Sequence, residues 1–83
     1  MNEIVRKLFD HVTGINWRLV ESSNVDAVGW DKSGNMYVTF LNGTMYRYIG
    51  VSRQRAVAAA YADSVGSYIN KKIKPFFKVV KED

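Results

Sequence analysis

Tyr46 and Tyr48 flank Arg47 in the run N-G-T-M-Y-R-Y-I-G, residues 42 to 50. Side chains alternate between faces along a strand, so both rings share one face and the guanidinium takes the other. Flat rings beside cations are suited to stacking nucleobases and holding phosphates. Trp30 and Tyr37 extend the ring set, and Arg53, Arg55, Lys71, Lys72 and Lys74 supply cations. The competing reading of the rings is cross-strand pairing, which supports a small sheet by about 0.2–1 kcal/mol per pair. For the lysines it is a solvated helix face. Arg53 and Arg55 fall in the first turn of an expected helix, where the macrodipole disfavours cations and an anion would relieve the conflict.

The charge is unevenly spread. Residues 1–46 hold four bases against five acids, a net −1, whereas residues 47–83 hold eight bases against three acids, a net +5. A basic half attracts phosphate-bearing partners and also keeps a protein in solution.

Other chemistries find little support. His11 is the sole histidine and has no nucleophile suggested near it, so it reads as a packed or surface residue. Asp26 and Asp31 form no convincing acid–base pair, and no phosphate-cradling glycine loop occurs. With no cysteine there is no thiolate, disulfide or histidine–cysteine metal spacing. No enzyme, cofactor or metal site is therefore expected. No run of about 18 apolar residues exists to span a bilayer. The opening M-N-E-I-V-R-K-L-F-D mixes acids and bases unlike a secretory signal, and a reducing cytoplasm is the expected setting.

Eighty-three residues fit one small domain, which hides only roughly 60% of its unfolded surface, so association would help it. Apolar residues at 4, 5, 8, 9 and 12 predict an N-terminal helix over 2–12, capped by Asn2 and stopped by Gly14. Strands are expected in W-R-L-V-E, V-D-A-V-G-W-D, M-Y-V-T-F-L and T-M-Y-R-Y-I. Ser52 caps an alanine-rich helix reaching about Asp63, and a second short helix follows around S-Y-I-N-K-K-I-K. Gly66 reads as the change of direction between the two, with Ser64 capping the second and Asn70 bonding the same turn. The tail F-F-K-V-V-K-E-D reads as a last strand, an arm or an association surface.

With Asn42-Gly43 as a two-residue turn, Thr39 faces Tyr46 and Tyr37 faces Tyr48. With Ser33-Gly34 closing the other hairpin, Trp30 faces Tyr37. One face then carries Trp30, Tyr37, Tyr46 and Tyr48. The other carries Ala27, Gly29, Met36, Val38 and Phe40, which we expect the helices to cover. On this register the tyrosines are reachable, and Tyr46→Ala with Tyr48→Ala leaves the fold intact.

G-T-M-Y-R-Y-I-G-V, the alanine-rich helix and A-D-S-V-G-S-Y-I-N-K-K-I together resemble the KTSC domain, from about Val20 to Phe77. That family is named after a C-terminal extension of some lysyl-tRNA synthetases and occurs alone in bacteria and phages. Its tyrosine-any-tyrosine motif falls on Tyr46 and Tyr48. Its serine-any-glycine-any-aromatic-any-asparagine signature falls on Ser64, Gly66, Tyr68 and Asn70. Ser52 stands where the family usually has proline. The resemblance implies a domain over 17–83 behind an extension at 1–16, with RNA binding as the suggested role and the host cytoplasm as the setting if phage-encoded.

The expectation is an α+β domain: a small antiparallel β-meander with a C-terminal helix pair on one face and an extra N-terminal helix. Its expected role is a non-catalytic binding module for RNA or single-stranded nucleic acid. The alternatives are a homo-oligomer that sequesters a nucleotide-type signalling molecule, and a protein-interaction adaptor.

Overall fold

The computed structural model describes residues 7–82. Six antiparallel strands stand side by side in chain order: β1 (Lys7–Asp10), β2 (Ile15–Leu19), β3 (Val25–Trp30), β4 (Asn35–Phe40), β5 (Met45–Ile49) and β6 (Lys78–Glu82). Between β5 and β6 the chain leaves the sheet as α1 (Arg53–Ala60) and α2 (Val65–Tyr68). The helix then widens into a π-helical segment, Ile69–Ile73, closed by Lys74 N–H donating to the Ile69 carbonyl at 2.8 Å. The α+β architecture agrees with the sequence reading, and the tail is the sixth strand.

Both helix starts are fixed by serine. The Ser52 hydroxyl accepts from the Arg55 N–H at 3.1 Å, and Ser64 accepts from the Ser67 N–H at 3.4 Å. Such a bond satisfies one of the orphan donors of a first turn. Gly66 lies inside α2 rather than at the change of direction, and its φ is not positive. What it supplies is space, because a Cβ there would sit 2.9 Å from Asn24 Oδ1.

The N-terminal helix is not formed by the described part of 2–12. Residues 7–10 pair with β2, Leu8 facing Trp17 and Phe9 facing Asn16, and 11–14 form the turn. Asn2, Ile4 and Val5, the other carriers of that expectation, lie outside the described residues. The competing principle is turn chemistry: Asp10 accepts from the Val12 and Thr13 N–H groups and Gly14 takes φ +77°, which reverses the chain into a hairpin.

The expected hairpin register also fails, by one residue. Met36 pairs with Tyr48, Val38 with Tyr46, and Trp30 with Met36. Every non-glycine φ among the described residues is negative, so Asn42 cannot occupy a type I′ turn, which needs two positive angles. Instead Leu41-Asn42-Gly43 is a three-residue loop with only Gly43 left-handed, at φ +93°. Lys32-Ser33-Gly34 repeats the geometry, with Gly34 at +86° and Asp31 N–H donating to the Asn35 carbonyl. One residue of slip turns a strand over relative to its neighbour.

Consequently Trp30, Met36, Val38, Phe40, Tyr46 and Tyr48 share the face that the helices cover. Ala56, Ala59 and Ala60 are buried there with Val28, Ile69 and Ile73, and Trp30 and Tyr48 retain only 4% and 5% exposure. A bulge between Val25 and Ala27 turns Val25 to this side as well. Ala27 and Gly29 face the other way, so they are not the helix-contact residues expected of them. Gly29 makes room for β2 instead, since a Cβ would come within 2.8 Å of Ile15 and Trp17. Among the described residues no helix is long and apolar enough to cross a membrane.

Candidate functional site

The expected ring platform does not form. Trp30 and Tyr48 are core residues and form no part of an outward stacking platform. Tyr37 lies on the helix-free face, near Trp17 with ring centres 6.0 Å apart, and its hydroxyl donates to Asp31 Oδ2 at 2.9 Å. The four rings predicted to form one outward surface are therefore split between two faces. The cause is the three-residue loops.

Asp31 organises that second face. Its carboxylate accepts from the backbone N–H groups of Ser33 and Asn35, the Asn35 amide and the Tyr37 hydroxyl. Partial burial pushes its pKa up, but these hydrogen bonds outweigh burial and hold it below the usual carboxylate value. The Tyr37 phenol is pushed up to about 12, by burial first and by Asp31 second. A carboxylate depressed in the folded state adds stability that is present above its unfolded pKa, near 4. That stability is lost as pH falls through the folded pKa. Asp31→Asn is therefore expected to be clearly less stable than wild type at pH 7 and nearly equal to it below pH 3, as read by urea denaturation. An equal gap at both pH values would remove this role for Asp31. Arg47 reaches the edge strand, its Nε–H donating to Glu82 Oε2 at 2.8 Å.

A cleft opens where the helix-side face of β4–β5 meets the turns after Gly66. Phe40, Tyr46 and Tyr48 form one wall, Ile69, Asn70 and Lys74 the other, and Asn24, Val25, Gly66 and Val79 close the ends. Its volume is about 340 Å³, within the range of small-molecule sites. Tyr46 is half-buried and meets Phe40 edge to face, ring centres 5.7 Å apart at 80°. Lys81 stands opposite Tyr46 on the edge strand. Burial, then the neighbouring Tyr46, raises the Tyr48 pKa, so Tyr48 stays a neutral wall at physiological pH.

A second hollow of about 430 Å³ adjoins it, sharing Asn24, Gly66 and Asn70. Its lining is polar: the loop 21–24, Asp63, Ser64, Ser67 and Lys71. The two hollows together gather Tyr46, Tyr48, Ser64, Gly66 and Asn70, which the sequence singled out in two separate motifs. Tyr68 looks elsewhere, into a shallower depression with Ser52 and Arg55.

The cations divide. Lys74 lines the cleft and Lys71 the polar hollow. Arg55 and Lys72 sit elsewhere, with Phe76 and Phe77 around a hollow of about 370 Å³, and Arg53 is exposed on α1 and lines none of the hollows described here. The first turn of α1 already has its Ser52 cap. Among the described residues no cluster of metal-ligating side chains forms.

Sequence reasoning missed Asn24, Phe40 and Val79 as cleft residues. Asn24 sits in the polar stretch Ser22-Ser23-Asn24 between two strands, where its type signals a turn and not a site. Phe40 and Val79 gave no signal, because an apolar strand residue that lines a cleft is indistinguishable in sequence from one that fills a core.

A search of curated proteins finds no match. A crystal structure of a KTSC domain protein from Yersinia pestis superimposes with a TM-score of 0.74 at 25% identity, covering 83% of this chain and 99% of that one. The KTSC domain family model matches residues 21–77. With more than half its length matched and the same fold, the chain belongs to the KTSC domain family.

Proposed function

We propose that this chain is a non-catalytic binding module whose cleft takes one nucleobase-bearing unit of RNA or single-stranded nucleic acid. The observation that carries this reading is the cleft itself: a half-buried ring pair, Phe40 and Tyr46, faces Asn70 and Lys74 across about 340 Å³. An aromatic wall favours a flat base, an amide can read its edge, and an ammonium can meet the attached phosphate. The basic C-terminal half and a cytoplasmic setting suit such a partner.

This differs from a flat stacking platform in one measurable way. A cleft of this size encloses one unit, so a free nucleotide competes with a strand for the same place. That size also favours the second reading, capture of a free nucleotide-type signalling molecule.

Fluorescence anisotropy with labelled single-stranded oligonucleotides tests the proposal. Binding is expected to weaken with salt, and gently, because only a few ammonium groups face the site. A log–log slope of about −0.7 per phosphate contact gives about −2 for three contacts. An unlabelled mononucleotide is expected to displace the strand. If neither strands nor mononucleotides bind at low salt, the proposal is lost. Tight nucleotide binding without strand binding selects the second reading.

A further inference from the structure

We propose that the polar hollow beside the cleft reads the sugar, making the site selective for ribonucleotides; this deepens the cleft reading and rests on it. The two hollows meet along Asn24, Gly66 and Asn70, so a unit seated against Tyr46 extends naturally into the second. The chemistry of the lining decides what belongs there. Ser64, Ser67 and the two asparagines offer donors and acceptors, while Asp63 offers only acceptors and Lys71 only donors. A carboxylate repels a phosphate but accepts a strong hydrogen bond from a hydroxyl. The free 2′-hydroxyl of a ribose in a strand both donates and accepts, and so can serve either kind of partner. The 2′-hydroxyl is the group that distinguishes RNA from DNA.

The geometry keeps the junction open. Asn24 Oδ1 accepts from the Ser22 hydroxyl at 3.1 Å and lies against the bare Cα of Gly66, where a Cβ would come within 2.9 Å. The missing side chain therefore lets Asn24 cross from the β2–β3 loop to α2 and form the shared wall. Ser64 accepts the Ser67 N–H, which leaves its own O–H to donate.

The test compares labelled oligoadenylates of equal length, one ribose and one deoxyribose, against wild type, Asp63→Ala/Ser67→Ala and Tyr46→Ala. Asp63 is exposed and Ser67 is half-buried on a capped helix, so the double variant is expected to fold as wild type by circular dichroism. Wild type is expected to bind the ribose strand about tenfold more tightly. The double variant is expected to lose that preference, binding the two strands within twofold of each other. Equal wild-type affinity for both strands, with both lost in Tyr46→Ala, overturns the sugar assignment and leaves the cleft reading standing. A ribose preference that survives in the double variant also overturns it. Binding of neither strand overturns the cleft reading itself.

Discussion

Tyr48→Ala is expected to cost the fold a large part of its stability at 25 °C. The ring is 5% exposed and surrounded by the core that α1, α2 and the sheet build together. Truncating a buried aromatic costs about 3–5 kcal/mol, through lost burial and the cavity left behind. A domain of this length has a total stability on the order of 4–12 kcal/mol, so one substitution removes a large part of it. Tyr48→Phe keeps the ring and is expected to stay close to wild type. Urea denaturation followed by circular dichroism separates these outcomes. A loss below about 1 kcal/mol in Tyr48→Ala would place the ring outside the core and restore the register that the three-residue loops exclude. The double substitution at Tyr46 and Tyr48 therefore cannot serve as a fold-neutral probe of binding, contrary to the expectation from sequence.

The second large effect concerns ligand. Tyr46→Ala is expected to weaken oligonucleotide binding by about 5- to 150-fold, the equivalent of about 1–3 kcal/mol for one stacked base. Its cost to the fold is smaller than at Tyr48, because Tyr46 is only half-buried; losing the edge-to-face contact with Phe40 removes about 0.5–1.5 kcal/mol beyond area burial. Lys74→Ala is expected to weaken binding uniformly across sequences and to reduce the salt slope by about 0.7–1. Arg53→Ala, exposed on α1 and outside the cleft lining, is expected to leave affinity within twofold. Anisotropy titrations at two salt concentrations check all three. Equal losses at Lys74 and Arg53 would point to diffuse attraction by the basic half rather than a site.

The order of elements was legible because glycine, asparagine and serine punctuate the chain at the places where strands and helices end. Gly14, Gly34, Gly43 and Gly50 all take positive φ, and Ser52 and Ser64 both cap. What the sequence did not disclose was which face each strand turns inward. Asn42-Gly43 is compatible with a two-residue turn and with a three-residue loop, and the choice inverts Tyr46 and Tyr48. Hydrophobic patterning could not arbitrate, since Ala27, Gly29 and Met45 on one face are nearly as apolar as Val28, Met36 and Val38 on the other. Asp31 is the local determinant in the first hairpin: its carboxylate gathers donors from residues 33, 35 and 37, which suits the longer loop. The N-terminal stripe was ambiguous for a related reason. Leu8 and Phe9 fit a helical spacing, but Asp10 and Gly14 build a turn that pairs their strand with β2 instead.

The cleft was half legible. Tyr46 and Tyr48 were selected from ring type and strand alternation and Lys74 from its charge, and the fold does bring them together, although with Tyr48 as a buried wall. Trp30, Tyr37, Arg53, Arg55 and Lys72 were selected on the same grounds and lie elsewhere, because type carries no information about which side of a sheet or helix a residue occupies.

Backbone amide shifts of ¹⁵N-labelled protein, followed during titration with a short ribo-oligonucleotide, test the placement of the ligand most directly. The account predicts the largest changes at Asn24, Phe40, Tyr46, Gly66, Asn70 and Lys74, with Trp17, Tyr37 and Arg47 unmoved on the opposite face. Changes concentrated at Trp17, Tyr37 and Arg47, or at Arg53, Arg55 and Lys72, would contradict it.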